Sequence, residues 1–105
     1  MPRKLLPISR LRKKAWAIFS QYIRRKAANG HGLVKCVTCD SPHYWKDAQA
    51  GHFIHGMVKP TCFEEMNINV QCVRCNKYLS GNLNKYESYM IKIYGLVHYI
   101  ESLIL

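Results

Sequence analysis

Apolar residues recur at helical spacing near the start of this chain. Leu11, Ala15, Ile18, Phe19, Tyr22 and Ile23 predict an amphipathic helix over residues 10–28, with Ser9 as its N-cap and Asn29-Gly30 as its stop. Pro2 and Pro7 mark the preceding residues as an arm. The pattern then lapses over 31–47, which reads as a loop containing Gly, Pro and Ser. Short strands are predicted at 49–55 and 66–71, joined by a loop through Gly56, Pro60 and Thr61. A short helix follows at 76–79 and halts near Ser80-Gly81-Asn82. Leu83, Tyr86, Met90, Ile93 and Tyr94 return to helical spacing up to Gly95, and the apolar stretch 96–105 reads as a further helix. The units are thus a basic arm and helix (1–30), a core (31–82) and a C-terminal helical segment (83–105), all within one compact α+β domain.

Four cysteines change that picture. Cys36-x-x-Cys39 and Cys72-x-x-Cys75 form two tight pairs separated by 32 residues. Two such pairs supply four thiolates for one tetrahedral Zn²⁺, and the long interval leaves room for a hairpin that carries chemistry. In 105 residues a hydrophobic core is small, so a structural zinc acts as a staple whose binding energy is part of the folding energy. No apolar run reaches membrane-spanning length and no signal-peptide core is present, so a cytoplasmic location is expected, with no membrane partner. There, paired cysteines serve as metal ligands more often than as disulfides. Cys62, the odd one, reads as a free thiol.

Charge adds a partner. The net charge is +10, ten of the 16 Lys and Arg residues fall within the first 35 positions, and the first acidic residue is Asp40. Such an asymmetry fits a polyanion, since each phosphate neutralised releases counterions. Arg10, Arg12, Lys13, Lys14, Arg24, Arg25 and Lys26 lie mainly off the apolar stripe of the first helix and are candidate DNA contacts, as are Arg74 and Lys77 beside the second cysteine pair. The competing reading is an ordinary solvated face. Trp16 and the tyrosines of the C-terminal third fit core or interface better than base stacking.

The pieces "QAGHFIH" (49–55), "NINVQCVRCN" (67–76) and "YLSGN" (78–82) resemble the NinG/Rap family of phage recombination endonucleases. The wider pattern is similar to the HNH, or ββα-metal (His-Me finger), superfamily. Endonuclease VII is the nearest functional parallel, with zinc between two Cys-x-x-Cys pairs and an asparagine after the last cysteine. The resemblance implies a small ββα-metal domain stapled by a four-cysteine zinc. It implies a metal-dependent endonuclease acting on branched DNA such as Holliday junctions, displacement loops and flaps, in the host cytoplasm if the gene is a phage's. Cys36, Cys39, Cys72 and Cys75 would hold the zinc. His52 would be the general base, Asn67 would orient the histidine loop, and Asn76 would help hold a catalytic Mg²⁺ or Mn²⁺. Where many superfamily members carry Asp or His before the base, this chain has Gly51. The replacement ligand is open among His55, Asp47, Glu64, Glu65 and His52 itself, with His55 and Glu65 foremost.

The chemistry agrees with these residue types. Imidazole is a base that works near neutral pH, and a hard cation offsets charge on the leaving oxygen through oxygen ligands. Asn69 competes with Asn67, while His31, His43 and His98 lack a constellation. Symmetric cutting of a junction calls for two sites, hence a homodimer, through the apolar C-terminus in this reading. The rival functions are a non-catalytic zinc-ribbon DNA-binding protein and an interaction adaptor using that C-terminus.

Overall fold

The computed structural model describes residues 7–54 and 63–104, with side chains described as far as Gly95. His55, Cys62 and residues 1–6, on which parts of the sequence reading fall, lie outside the described residues. Helix α1 runs Ile8–Ala27. Pro7, not Ser9, stands at its N-cap, and no side chain caps it. The Pro7 carbonyl accepts from the Arg10 and Leu11 N–H groups at 3.0 and 3.1 Å, and its ring pre-sets the backbone turn that Ser9, already helical, is too late to make. At the other end Asn29 Oδ1 accepts from the backbone N–H groups of His31 (2.9 Å) and Leu33 (3.0 Å), which turns the chain back.

Residues 31–47 are not a plain loop. Strands β1 (Leu33–Lys35) and β2 (Pro42–Tyr44) pair antiparallel, Val34 opposite His43, and carry the first cysteine pair at their tip. Three-residue strands containing Pro and His leave too little alternation to be read from sequence. A 3-10 turn (Trp45–Asp47) leads into β3 (Gln49–His52), which pairs antiparallel with β4 (Ile68–Gln71). The expected hairpin is therefore present, with shorter strands. Asn67 sits in a 3-10 turn (Glu65–Asn67) ahead of β4, so it does not share a strand face with Asn69. The two ribbons meet where Val37 N–H donates to the Val70 carbonyl at 3.0 Å.

Alternation along β3–β4 sorts the core. Ala50, Ile68 and Val70 face α1 and pack with Ile23, Val34 and Ala48, bordered by Trp16 and Phe19. The other apolar stripe of α1, comprising Ile8, Leu11, Ile18 and Tyr22, is exposed. The spacing predicts one stripe from Leu11 to Ile23, but only its Phe19 and Ile23 edge packs on the core, and Leu11, Ile18 and Tyr22 do not. The opposite ribbon face meets α2 (Leu83–Ile104), where Tyr86 and Met90 pack on Phe53. At Gly95 (φ 80°, ψ 163°) the backbone leaves the helix, so α2 is two helical lengths parted there, as the spacing predicts. Between β4 and α2 one helical turn of π type (Arg74–Tyr78) contains Cys75, beginning two residues before the expected helix. Among the described residues, no helix is long and apolar enough to cross a membrane.

Tyr86 ties α2 to the ribbon. Its buried hydroxyl donates to the Gly51 carbonyl at 2.7 Å and lies 3.1 Å from Asn69 Nδ2, which donates to it. Burial pushes its phenol well above the ordinary tyrosine range, so it stays a neutral donor. Tyr86→Phe strands both partners and is expected to cost about 1–3 kcal/mol. An unchanged urea midpoint at unchanged slope would refute the role.

Candidate metal and active site

The two cysteine pairs converge. The β1–β2 tip brings Cys36 and Cys39, and the end of β4 with the helical turn brings Cys72 and Cys75, so that all four Sγ atoms lie within 4.8 Å of one another. All four are free thiols, three of them buried. A tetrahedral zinc with Zn–S of about 2.3 Å needs sulfurs about 3.8 Å apart, and Cys39 Sγ stands 3.7 Å from Cys72 Sγ. The donor set and its size therefore fit zinc, with every position taken by sulfur and none left for substrate.

Two thiols of the cluster are shifted in opposite directions. Burial opposes ionisation of Cys36, but the Thr38 hydroxyl and backbone N–H groups at Cys72, Thr38 and Cys39 outweigh it and hold the thiol down to about 6. Cys72 is pushed up to about 11, first by burial, then by side-chain hydrogen bonds with Cys75 and Cys39 and least by the charge on Cys36, against a backbone hydrogen bond at Cys75 that lowers it. Outer partners surround the sulfurs: Thr38 Oγ1 lies 3.3 Å from Cys36 Sγ, Ser41 Oγ 2.9 Å from Cys39 Sγ, and Asn82 Nδ2 donates to Cys75 Sγ at 3.6 Å. His43, read from sequence as incidental, reaches Ser41 Oγ at 2.7 Å through Nε2. For Thr38 and Ser41 the sequence signal was only their place within two residues of a cysteine; Asn82 and His43 carried no such signal.

His52 closes β3 on the α1 face, where its ring stacks on Trp16 (centroids 4.6 Å apart, planes at 21°). Trp16 is thus packing for the histidine. Asn67 clamps the residues that follow: its Oδ1 accepts from Ile54 N–H at 2.7 Å, its Nδ2 donates to the Ile54 carbonyl at 3.0 Å, and its own carbonyl accepts from Phe53 N–H at 2.8 Å. Asn69 instead turns to Tyr86. Asn76, in the helical turn, donates through Nδ2 to Gln49 Oε1 at 2.8 Å. With Gln49, Trp16, Arg24 and Lys46 it lines a cleft of about 430 Å³ along β3. His52 and Asn76 therefore flank the same strand from opposite faces.

Gly51 is buried between them, and a Cβ there would collide with Gln71 Oε1 and stand 2.9 Å from Asn76 Oδ1. Gln71 was not singled out in the sequence, yet it joins this point to the cysteines: its Nε2 donates to Thr38 Oγ1 at 3.2 Å. Glu65 lies elsewhere, paired with Lys26 at 3.2 Å. Hydrogen bonds from Tyr22 and then Lys26 hold its carboxyl below the usual range. It borders a separate hollow with Lys35 and Tyr94. Asp47 and Glu64 are exposed.

Of the basic candidates, Arg10, Arg12, Lys13, Lys14, Arg25 and Lys26 are exposed on α1, and Arg74 and Lys77 on the helical turn. Arg24 is half-buried. Its guanidinium donates to the carbonyls of Ser20 (3.1 Å), Trp45 (3.3 Å) and Ala48 (3.4 Å), pinning α1 to the turn before β3.

The family model described as "NinG: Bacteriophage Lambda NinG protein" matches residues 3–103. The chain belongs to the NinG family. The NinG relative "Protein ninG" of Salmonella phage P22 is 33% identical over 103 residues, covering 93% of this chain and 47% of the relative. The chain thus spans about half the length of that curated NinG protein. No solved structure matches it.

Proposed function

We propose that this NinG-family chain is a zinc-stapled, divalent-ion-dependent endonuclease of the ββα-metal type that acts on branched DNA. The observation that carries the reading is the placement of His52 and Asn76 about β3 by a hairpin whose far end is fastened at the four-cysteine cluster. Zinc at the four sulfurs is scaffold, because no coordination position is left open. His52 is the base for the attacking water, held by Trp16 and by the Asn67 clamp. Asn76 contributes an oxygen to a hard cation that offsets charge on the leaving oxygen. The exposed basic residues of α1 and of the helical turn hold phosphates, which positions the DNA without reading its sequence. Selectivity for branches then comes from shape and bending, and paired cutting of a junction from a homodimer.

The test is cleavage of labelled four-way junction, flap and linear duplex with Mg²⁺, with Mn²⁺ and with chelator. Ion-dependent cutting that favours the branched substrates is expected. Tight binding with no cutting under either ion would replace the proposal with a zinc-ribbon DNA-binding protein.

A further inference from the structure

Gln71 is fully buried, and its Oε1 has no hydrogen-bond partner. A buried carbonyl oxygen left unmet is costly and demands an explanation. The amide is not free to turn over. Its Nε2 donates to the Gly81 carbonyl at 2.8 Å, and a carbonyl can only accept. Oε1 is therefore fixed in the direction of Gly51, and the missing side chain at Gly51 is what leaves room for it. Strand register accounts for the approach: Gln71 pairs with Gln49, and Gly51 lies two residues on, on the same face. Asn76 Oδ1 comes to the same point from the helical turn, while Asn76 Nδ2 is committed to Gln49.

We propose that Gln71 Oε1 and Asn76 Oδ1 together form the protein half of a divalent-cation site, with Gln71 replacing the ligand that Gly51 cannot supply. This deepens the endonuclease reading and rests on it. Hard cations accept amide oxygens, and Mg²⁺ in particular keeps waters and takes only one or two protein ligands beside phosphates. Two neutral amides in a chain of net charge +10 hold such an ion poorly by themselves. Phosphates of bound DNA would supply the remaining oxygens, so Gln71 and Asn76 would hold the ion well only alongside substrate. Asn76 opens onto the cleft along β3, where Lys46 supplies positive charge for a phosphate.

The experiment is a Mn²⁺ titration followed by electron paramagnetic resonance on the zinc-loaded chain. It is run alone and with a phosphorothioate four-way junction, which resists hydrolysis, with the ion held by the DNA itself subtracted. Wild type is expected to hold one additional Mn²⁺ per chain when DNA is present. Gln71→Met, similar in length but lacking the oxygen, is expected to weaken that binding about tenfold or more. Gly51→Asp combined with Gln71→Ala removes the collision and restores a carboxylate, and it is expected to hold Mn²⁺ even without DNA. The proposal is overturned if wild type holds no protein-dependent Mn²⁺, or if folded, zinc-replete Gln71→Met binds it like wild type. If Gln71→Met does not fold, a double variant that binds no tighter than wild type overturns it as well. Cleavage of unmodified DNA separates the two levels. Cutting by wild type together with unaltered Mn²⁺ binding by Gln71→Met removes Gln71 and leaves the endonuclease standing. Mn²⁺ held through Gln71 without any cutting keeps the site and removes the endonuclease.

Discussion

Stripping metal from the four-cysteine cluster is expected to unfold the chain. Structural zinc contributes about 10–16 kcal/mol in small domains, while a whole domain retains only about 5–15 kcal/mol of net stability. The cluster here joins the β1–β2 tip to the end of β4 and the helical turn, so its loss releases both ribbons at once. What remains is two short ribbons and a modest core of Ile23, Val34, Ala48, Ala50, Ile68 and Val70, too little to offset chain entropy alone. The expected result is one zinc per chain by elemental analysis, and loss of cooperative unfolding and of most helical circular dichroism on chelation. Cys72→Ser should reproduce this without chelator. The sign with pH follows from competition: zinc needs thiolates, so acid releases the metal and stability falls as pH drops. A metal-free chain that unfolds at the same denaturant concentration as the zinc-loaded one would show that the fold stands without the staple.

The parts legible in the sequence are those with a local signature. Cys-x-x-Cys spacing announced the cluster, and helical periodicity announced α1 and α2. Two strand-like segments on either side of a Gly- and Pro-containing loop announced the β3–β4 hairpin. What escaped depends on the third dimension. In β4, Ile68 and Val70 alternate with Asn69 and Gln71, a pattern that ordinarily marks a half-buried strand with a wet face. Here the polar face lies beneath α2 and the β1–β2 tip, and Asn69 and Gln71 are spent on Tyr86, Gly81 and Thr38. Nothing in a single sequence distinguishes a glutamine in water from one buried against a glycine. Likewise Glu65 was a reasonable ligand by composition, but the turn that holds Asn67 directs it to Lys26 instead. Gly51 read as a deletion from the site; in the fold it is the space into which another side chain reaches.

His52→Ala is expected to lower cleavage of a four-way junction by about 10²–10⁴-fold, the contribution of a positioned general base, while zinc content and junction affinity stay at wild-type values. The separation follows from where the residue sits. His52 is half-buried at the end of β3, outside the four sulfurs, so its removal leaves the staple whole. It is one side chain among many that can touch DNA, and the basic residues on α1 and the helical turn carry the affinity. Trp16 and Asn67 act on it from two sides, one by stacking on the ring and the other by fixing the backbone just beyond it. They are positioning residues, and Trp16→Ala should lower turnover by less than His52→Ala at unchanged zinc content. Undiminished cutting by folded, zinc-replete His52→Ala would show that the water is activated by another group, and would leave the stack on Trp16 as packing alone.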